Sequence, residues 1–168
     1  KMPKSSALTR VERKMRSLDK WMPKPVPKGA DFSQYADDPV GFFRDVLKLE
    51  HITDEQVAIA LSVRDNPETN VQASHGCGKS HVSAQIVLWW VFAVGGLAIT
   101  TAPTESQVKQ ILWSEIRRAY QRHKAEFGGQ CDILQLKLTE TARAYGFTAR
   151  NYDSNSFQGK HAERMLLI

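Results

Sequence analysis

The sequence predicts an α/β domain organised around a mostly parallel sheet, and three observations carry that expectation. Short apolar or β-branched runs at 97–101, 133–138 and 144–148 alternate with stretches of helical length. Several of the helical stretches open on a recognisable capping signal. A glycine-rich segment, ASHGCGKS at 73–80, stands between a polar-apolar run, TNVQ, and a long apolar one, HVSAQIVLWWV.

The composition bounds the reading. The chain has 168 residues, 42% hydrophobic and 24% charged, which suits one globular core rather than a disordered tail. Two cysteines, Cys77 and Cys131, are too few for a disulfide framework and fit a reducing interior. No secretory signal opens the chain. The uncharged run from Val82 to Thr104 is interrupted by Gly95-Gly96, so a buried helix followed by a buried strand is expected there instead of a membrane span. The net charge of +5 sits at one end: residues 1–28 hold nine Lys or Arg against Glu12 and Asp19, which leaves the remainder slightly acidic. The chain starts at Lys1 and stops inside the apolar run MLLI, so a fragment is expected.

Taken in order, residues 6–20 have the pattern of a basic helix, and WMPKPVPKGAD, with three prolines, reads as an extended linker. A basic arm and linker over 1–37 would then precede a domain over 38–168. Asp38-Pro39 supplies an N-cap carboxylate and a proline at the first helical position, ahead of an apolar face of Phe42, Phe43, Val46 and Leu47. Thr53 and Gln56 form a capping-box pattern ahead of Val57, Ile59, Ala60 and Leu61. Residues 69–73 are expected to be a strand, the segment from Lys79 a helix, and Leu97–Thr101 a buried strand. A second capping box, Thr104 to Gln107, opens an amphipathic helix with Val108, Ile111, Leu112, Ile116, Ala119 and Tyr120 on its apolar face. Two strands follow Gly128-Gly129, and the loop NYDSNSFQGKH leads to a last apolar strand, MLLI.

The glycine-rich segment matches G-x-x-x-x-G-K-[ST] except that Ala73 replaces the first glycine. Glycine backbones in such a loop turn their N–H groups inward around phosphate oxygens at a helix N-terminus, where the helix dipole also favours negative charge. Ser74, His75, Gly76, Cys77, Gly78, Lys79 and Ser80 are the candidate cradle. Lys79 would reach the β- and γ-phosphates of ATP, and the Ser80 hydroxyl would ligate Mg²⁺. Cys77 is either a small residue tolerated in the loop or a thiol activated by its positive surroundings. His75 could approach the γ-phosphate or merely fill a loop position. The fold implied is a three-layer P-loop NTPase of the RecA-like (ASCE) type.

The cradle together with ITTAPTESQVKQILWSEIR (99–117) and SFQGKHAERMLLI (156–168) resembles the N-terminal ATPase domain of large terminase subunits, the DNA-packaging motors of tailed bacteriophages. The likeness runs from about Asp38 to Ile168. It implies an ATPase that moves double-stranded DNA in a ring of subunits, with a small terminase subunit and a portal protein as partners, in the cytoplasm of a host bacterium and without a membrane. It implies an adenine contact for Gln56, whose amide can donate and accept, although Gln56 could equally serve only its own capping box. In that family the last strand is followed at once by an Asp-Glu pair, the magnesium carboxylate and general base, and neither lies in this chain. The isolated chain is therefore expected to hydrolyse ATP negligibly, and DNA cleavage belongs to a further C-terminal domain. The cation that meets the γ-phosphoryl group stays unassigned, with Lys160, Arg143 and Arg150 as candidates. A superfamily-two helicase is the alternative, since AP-T-x-x-Q resembles a DNA-contacting motif there, and a nucleotide-binding fragment without activity is another. Lys109, Arg117, Arg118, Arg122 and Lys124 could touch DNA, but the interleaved Glu105, Glu115 and Glu126 favour a solvated face.

Overall fold

The computed structural model describes residues 29–74, 76–148 and 163–168. The basic helix expected at 6–20, most of the linker, and His75, Arg150 and Lys160 lie outside the described residues. Packed structure is already present N-terminal to Asp38: Phe32 is buried, and a short 3-10 turn over Ser33–Tyr35 presents the Tyr35 carbonyl to the Trp89 indole N–H at 2.8 Å.

Helix α1 (Pro39–Gly41) starts as its sequence predicts, with the Asp38 carboxylate accepting from the Gly41 N–H at 2.8 Å, and continues as a π-helical turn over Phe42–Val46. Phe42, Phe43, Val46 and Leu47 are all buried. Helix α2 (Asp54–Asp65) opens on the reciprocal Thr53–Gln56 capping box. Of its expected apolar positions only Ala60 is buried, while Val57, Ile59 and Leu61 stay half-exposed.

Helix α3 (Lys79–Trp89) runs on in π geometry through Trp90–Val94 and ends at Gly95, whose φ of 75° is the left-handed conformation that closes many helices. It buries Val82, Ala84, Ile86, Val87, Leu88 and Trp89, so the long apolar run is a core helix. Among the described residues no helix is long and apolar enough to cross a membrane.

Strand β1 (Leu97–Ala102) follows, and the second capping box forms as well: Thr104 N–H donates to Gln107 Oε1 and Gln107 N–H to Thr104 Oγ1, both at 3.2 Å. A π-helical stretch over Gln107–Leu112 then leads into helix α4 (Trp113–Arg122) and the short α5 (Lys124–Phe127). Val108, Trp113, Ile116 and Tyr120 form the buried face, whereas Ile111, placed on it by spacing, is exposed. The wider π turn shifts the phase of the helix, so a strict 3.6-residue period misplaces one position.

Strands β2 (Gln130–Cys131), β3 (Gln135–Lys137), β4 (Arg143–Thr148) and β5 (Met165–Leu167) complete a five-stranded sheet in the order β2-β3-β4-β1-β5. The sheet is mixed. β1 pairs in parallel with β4 (Ile99 beside Tyr145) and with β5 (Ile99 beside Leu167), while β2–β3 and β3–β4 are antiparallel. The mostly parallel expectation misses the second half because short links join β2, β3 and β4. A parallel pair needs a crossover of a dozen or more residues, which the helical region between β1 and β4 supplies and these links do not.

The strand expected at 69–73 is not formed; residues 68–74 carry no regular structure. Val71 is the branched apolar residue of that stretch and is 42% exposed, so no buried side-chain row holds the segment in a ladder.

Aromatic side chains pack the helices and the N-terminal segment against one another. Phe92 stacks on Phe127 at 4.1 Å between centroids, and Phe32 meets both Phe42 and Phe127 edge-on. Trp113, fully buried, donates its indole N–H to Thr100 Oγ1 at 2.8 Å and lies against Gly146 of β4, where a Cβ would collide with the indole nitrogen.

Candidate nucleotide-binding site

The cradle lies at the N-terminus of α3. Gly76 and Gly78 both have φ of 84°, a conformation that a side chain strains and glycine adopts freely. Gly78 is the N-cap of α3 and supplies no side-chain cap, so the first turn presents its amides without a capping side chain. That is the arrangement an anion exploits. Lys79 Nζ donates to the carbonyl oxygens of Ala73 (2.5 Å) and Ser74 (2.6 Å), and the Cys77 thiol donates to Ser74 O at 3.1 Å. The loop thus holds its own ammonium on neutral carbonyl acceptors, and phosphate oxygens, which carry a full opposite charge, can take their place. Ser80, next on the helix, is half-buried. On this geometry the residues present fit a phosphate chain, with Ser80 the hydroxyl that would meet a magnesium ion.

Two cavities flank the cradle. The smaller, about 360 Å³, is lined by Thr53, Glu55, Gln56, Ile59, Ala73, Cys77, Lys79 and Val82. Gln56 has the capping role that its position allowed: its Oε1 accepts from Thr53 N–H, and its own N–H donates to Thr53 Oγ1, both at a long 3.4 Å. Its amide nitrogen is directed at Gly78, close enough that a Cβ there would lie 2.8 Å away. One glutamine therefore joins the α2 N-terminus to the cradle.

The larger cavity, about 640 Å³, is lined by Gly76, Gly78, Lys79, Ser80 and His81 from the loop and α3, and by Gln110, Ser114, Glu115 and Arg118 from the helical region after β1. Arg118 Nη1 donates to Glu115 Oε1 at 2.7 Å, and His81 Nδ1 lies 3.4 Å from Glu115 Oε2. Sequence reasoning had Arg118 and Glu115 only as members of a solvated helical face, and His81 not at all. Their i,i+3 spacing signalled that they would pair, but nothing local told that the pair would face α3.

Arg143 does not line the cradle of its own chain. Its N–H donates to the Gly96 carbonyl, beyond the far end of α3, which puts it roughly 20 Å from Lys79 at 1.5 Å per helical residue. Its guanidinium lies over the Tyr145 ring at 5.6 Å. Other basic residues of the α4 region are engaged locally: Lys109 pairs with Glu105, and Arg117 donates to the Ile133 carbonyl at 2.6 Å.

The second cysteine is set apart from this chemistry. Burial pushes the Cys131 thiol up to about 11, while Cys77 is exposed in the loop. Comparison with protein-family models, curated proteins and solved structures finds no match.

Proposed function

We propose that this chain is the ATP-binding part of a DNA-translocating motor of the terminase large-subunit type. The observation that carries the reading is the loop from Gly76 to Ser80: two left-handed glycines feed an uncapped helix start whose first residue is a lysine held at the mouth of the loop. Loop amides and Lys79 would bind the phosphate chain, Ser80 the magnesium ion, and Gln56 the base, since the smaller cavity offers an amide beside apolar Ile59 and Val82. Magnesium, when bound, neutralises charge on the phosphate oxygens. The protein's own part is to orient the chain and keep its terminal group in a fixed place.

On the same reading β4, β1 and β5 are the parallel portion of a P-loop sheet, and the motor acts on double-stranded DNA as a ring, with a small subunit and a portal protein, in a bacterial cytoplasm. The test is equilibrium binding of ATP and ADP with Mg²⁺ to the whole chain. Micromolar binding that Lys79→Ala abolishes supports the proposal; equal binding by both proteins, or a bound nucleotide located away from Gly76–Ser80, refutes it.

A further inference from the structure

Resting on that reading, we infer that Arg118 is the cation this chain itself supplies to the terminal phosphoryl group of a bound nucleoside triphosphate, and that Glu115 stores it when the cradle is empty. The two cavities give the cradle a direction. Gln56 lines the smaller one and Ser80 the larger. A nucleotide with its base at Gln56 and its metal ion at Ser80 extends its terminal phosphoryl group into the larger cavity. Arg118 is the arginine on that wall, with Lys79 on the opposite one.

Its side chain is 58% exposed and, among the described residues, is bound through Nη1 to Glu115 alone, which leaves the rest of the guanidinium fork to a phosphate. Glu115 is better fixed. Its side chain is 23% exposed and lies between Arg118 and His81, the residue directly after Ser80. The carboxylate thus ties the first turn of α3 to α4 and holds the guanidinium beside the cavity without filling it. A triphosphate brings more negative charge than one carboxylate and draws the arginine across. A diphosphate, lacking the terminal group, leaves it on Glu115. Arg118 thereby distinguishes ATP from ADP, which Lys79 and the loop amides do not do alone.

The experiment is titration of the whole chain with ADP and with a nonhydrolysable ATP analogue, each with Mg²⁺, for wild type, Arg118→Ala, Arg118→Lys and Glu115→Gln, with thermal unfolding as a check on folding. Arg118→Ala is expected to weaken the triphosphate about tenfold while ADP changes less than about twofold, the scale of one charge-assisted contact. Arg118→Lys should recover only part of the loss, and Glu115→Gln should bind the triphosphate at least as well as wild type. An Arg118→Ala protein that binds both nucleotides as wild type does overturns the assignment and leaves the cradle standing. Equal weakening of both nucleotides also overturns it, moving Arg118 to the shared diphosphate or to the fold. If wild type binds neither nucleotide, the cradle reading fails and the assignment falls with it.

Discussion

Trp113 and Lys79 each donate hydrogen bonds inside one small domain, and their partners differ in kind. Trp113 is fully buried, bonds the Thr100 hydroxyl and rests on a glycine that leaves room for its ring. Lys79 opens α3 at the end of a mostly exposed loop and bonds two carbonyls of that loop. The first set of partners is imposed by packing from both sides; the second is provisional. On the nucleotide-binding proposal, the rigid contacts and the replaceable ones are kept in separate places.

Substitutions can break or sharpen that contrast. The largest effect on stability is expected from Trp113→Ala, which leaves a cavity and removes the donor to the buried Thr100 hydroxyl, which keeps only its own bond to the Tyr145 carbonyl. It should cost about 3–5 kcal/mol, read from denaturant unfolding. Gly146→Ala attacks the same contact from the strand side by pushing a methyl group at the indole, at about 1–3 kcal/mol. Loss of a cap comes next: Thr53→Ala should cost about 0.5–1 kcal/mol, at the low end because both capping bonds are 3.4 Å long, and it should also loosen Gln56 beside Gly78. Lys79→Ala is expected to change stability by less than about 0.5 kcal/mol while removing nucleotide binding. A measured cost for Lys79→Ala comparable with that for Trp113→Ala would erase the distinction.

The cysteines extend the same comparison to pH. The Cys131 thiol has its pKa raised by burial from 9.0 to about 11, so between those values the unfolded chain releases its proton first. This group therefore lowers stability as pH rises through that window and has no effect below it. Thiol labelling at neutral pH should modify exposed Cys77 well before Cys131, and bound nucleotide should slow labelling of Cys77 alone.

How legible all this was in the sequence depended on range. The Asp38, Thr53 and Thr104 caps were readable because a cap joins residues three apart, and each forms. The turn of the glycine-rich loop into α3 was readable for the same reason: glycine freedom and a following Lys-Ser are local properties. The expected strand at 69–73 failed because a ladder needs a neighbour that local sequence does not name. Trp113 was passed over because the π turn before it shifts the helical phase, and its match with Thr100 and Gly146 joins three separated elements.

By itself, then, the sequence determined where helices begin, that 79–94 would be a core helix, that the composition is α/β, and which loop would turn on left-handed glycines into a helix start. Tertiary structure alone decided the mixed order of the sheet, the exposure of Val71, and the placing of Glu115 and Arg118 across a cavity from Ser80. Backbone preference and capping act over a few residues and leave a mark in every short window. Strand partnership and the facing of two helices depend on which distant surfaces can be buried together, and that is fixed only once the whole chain has packed.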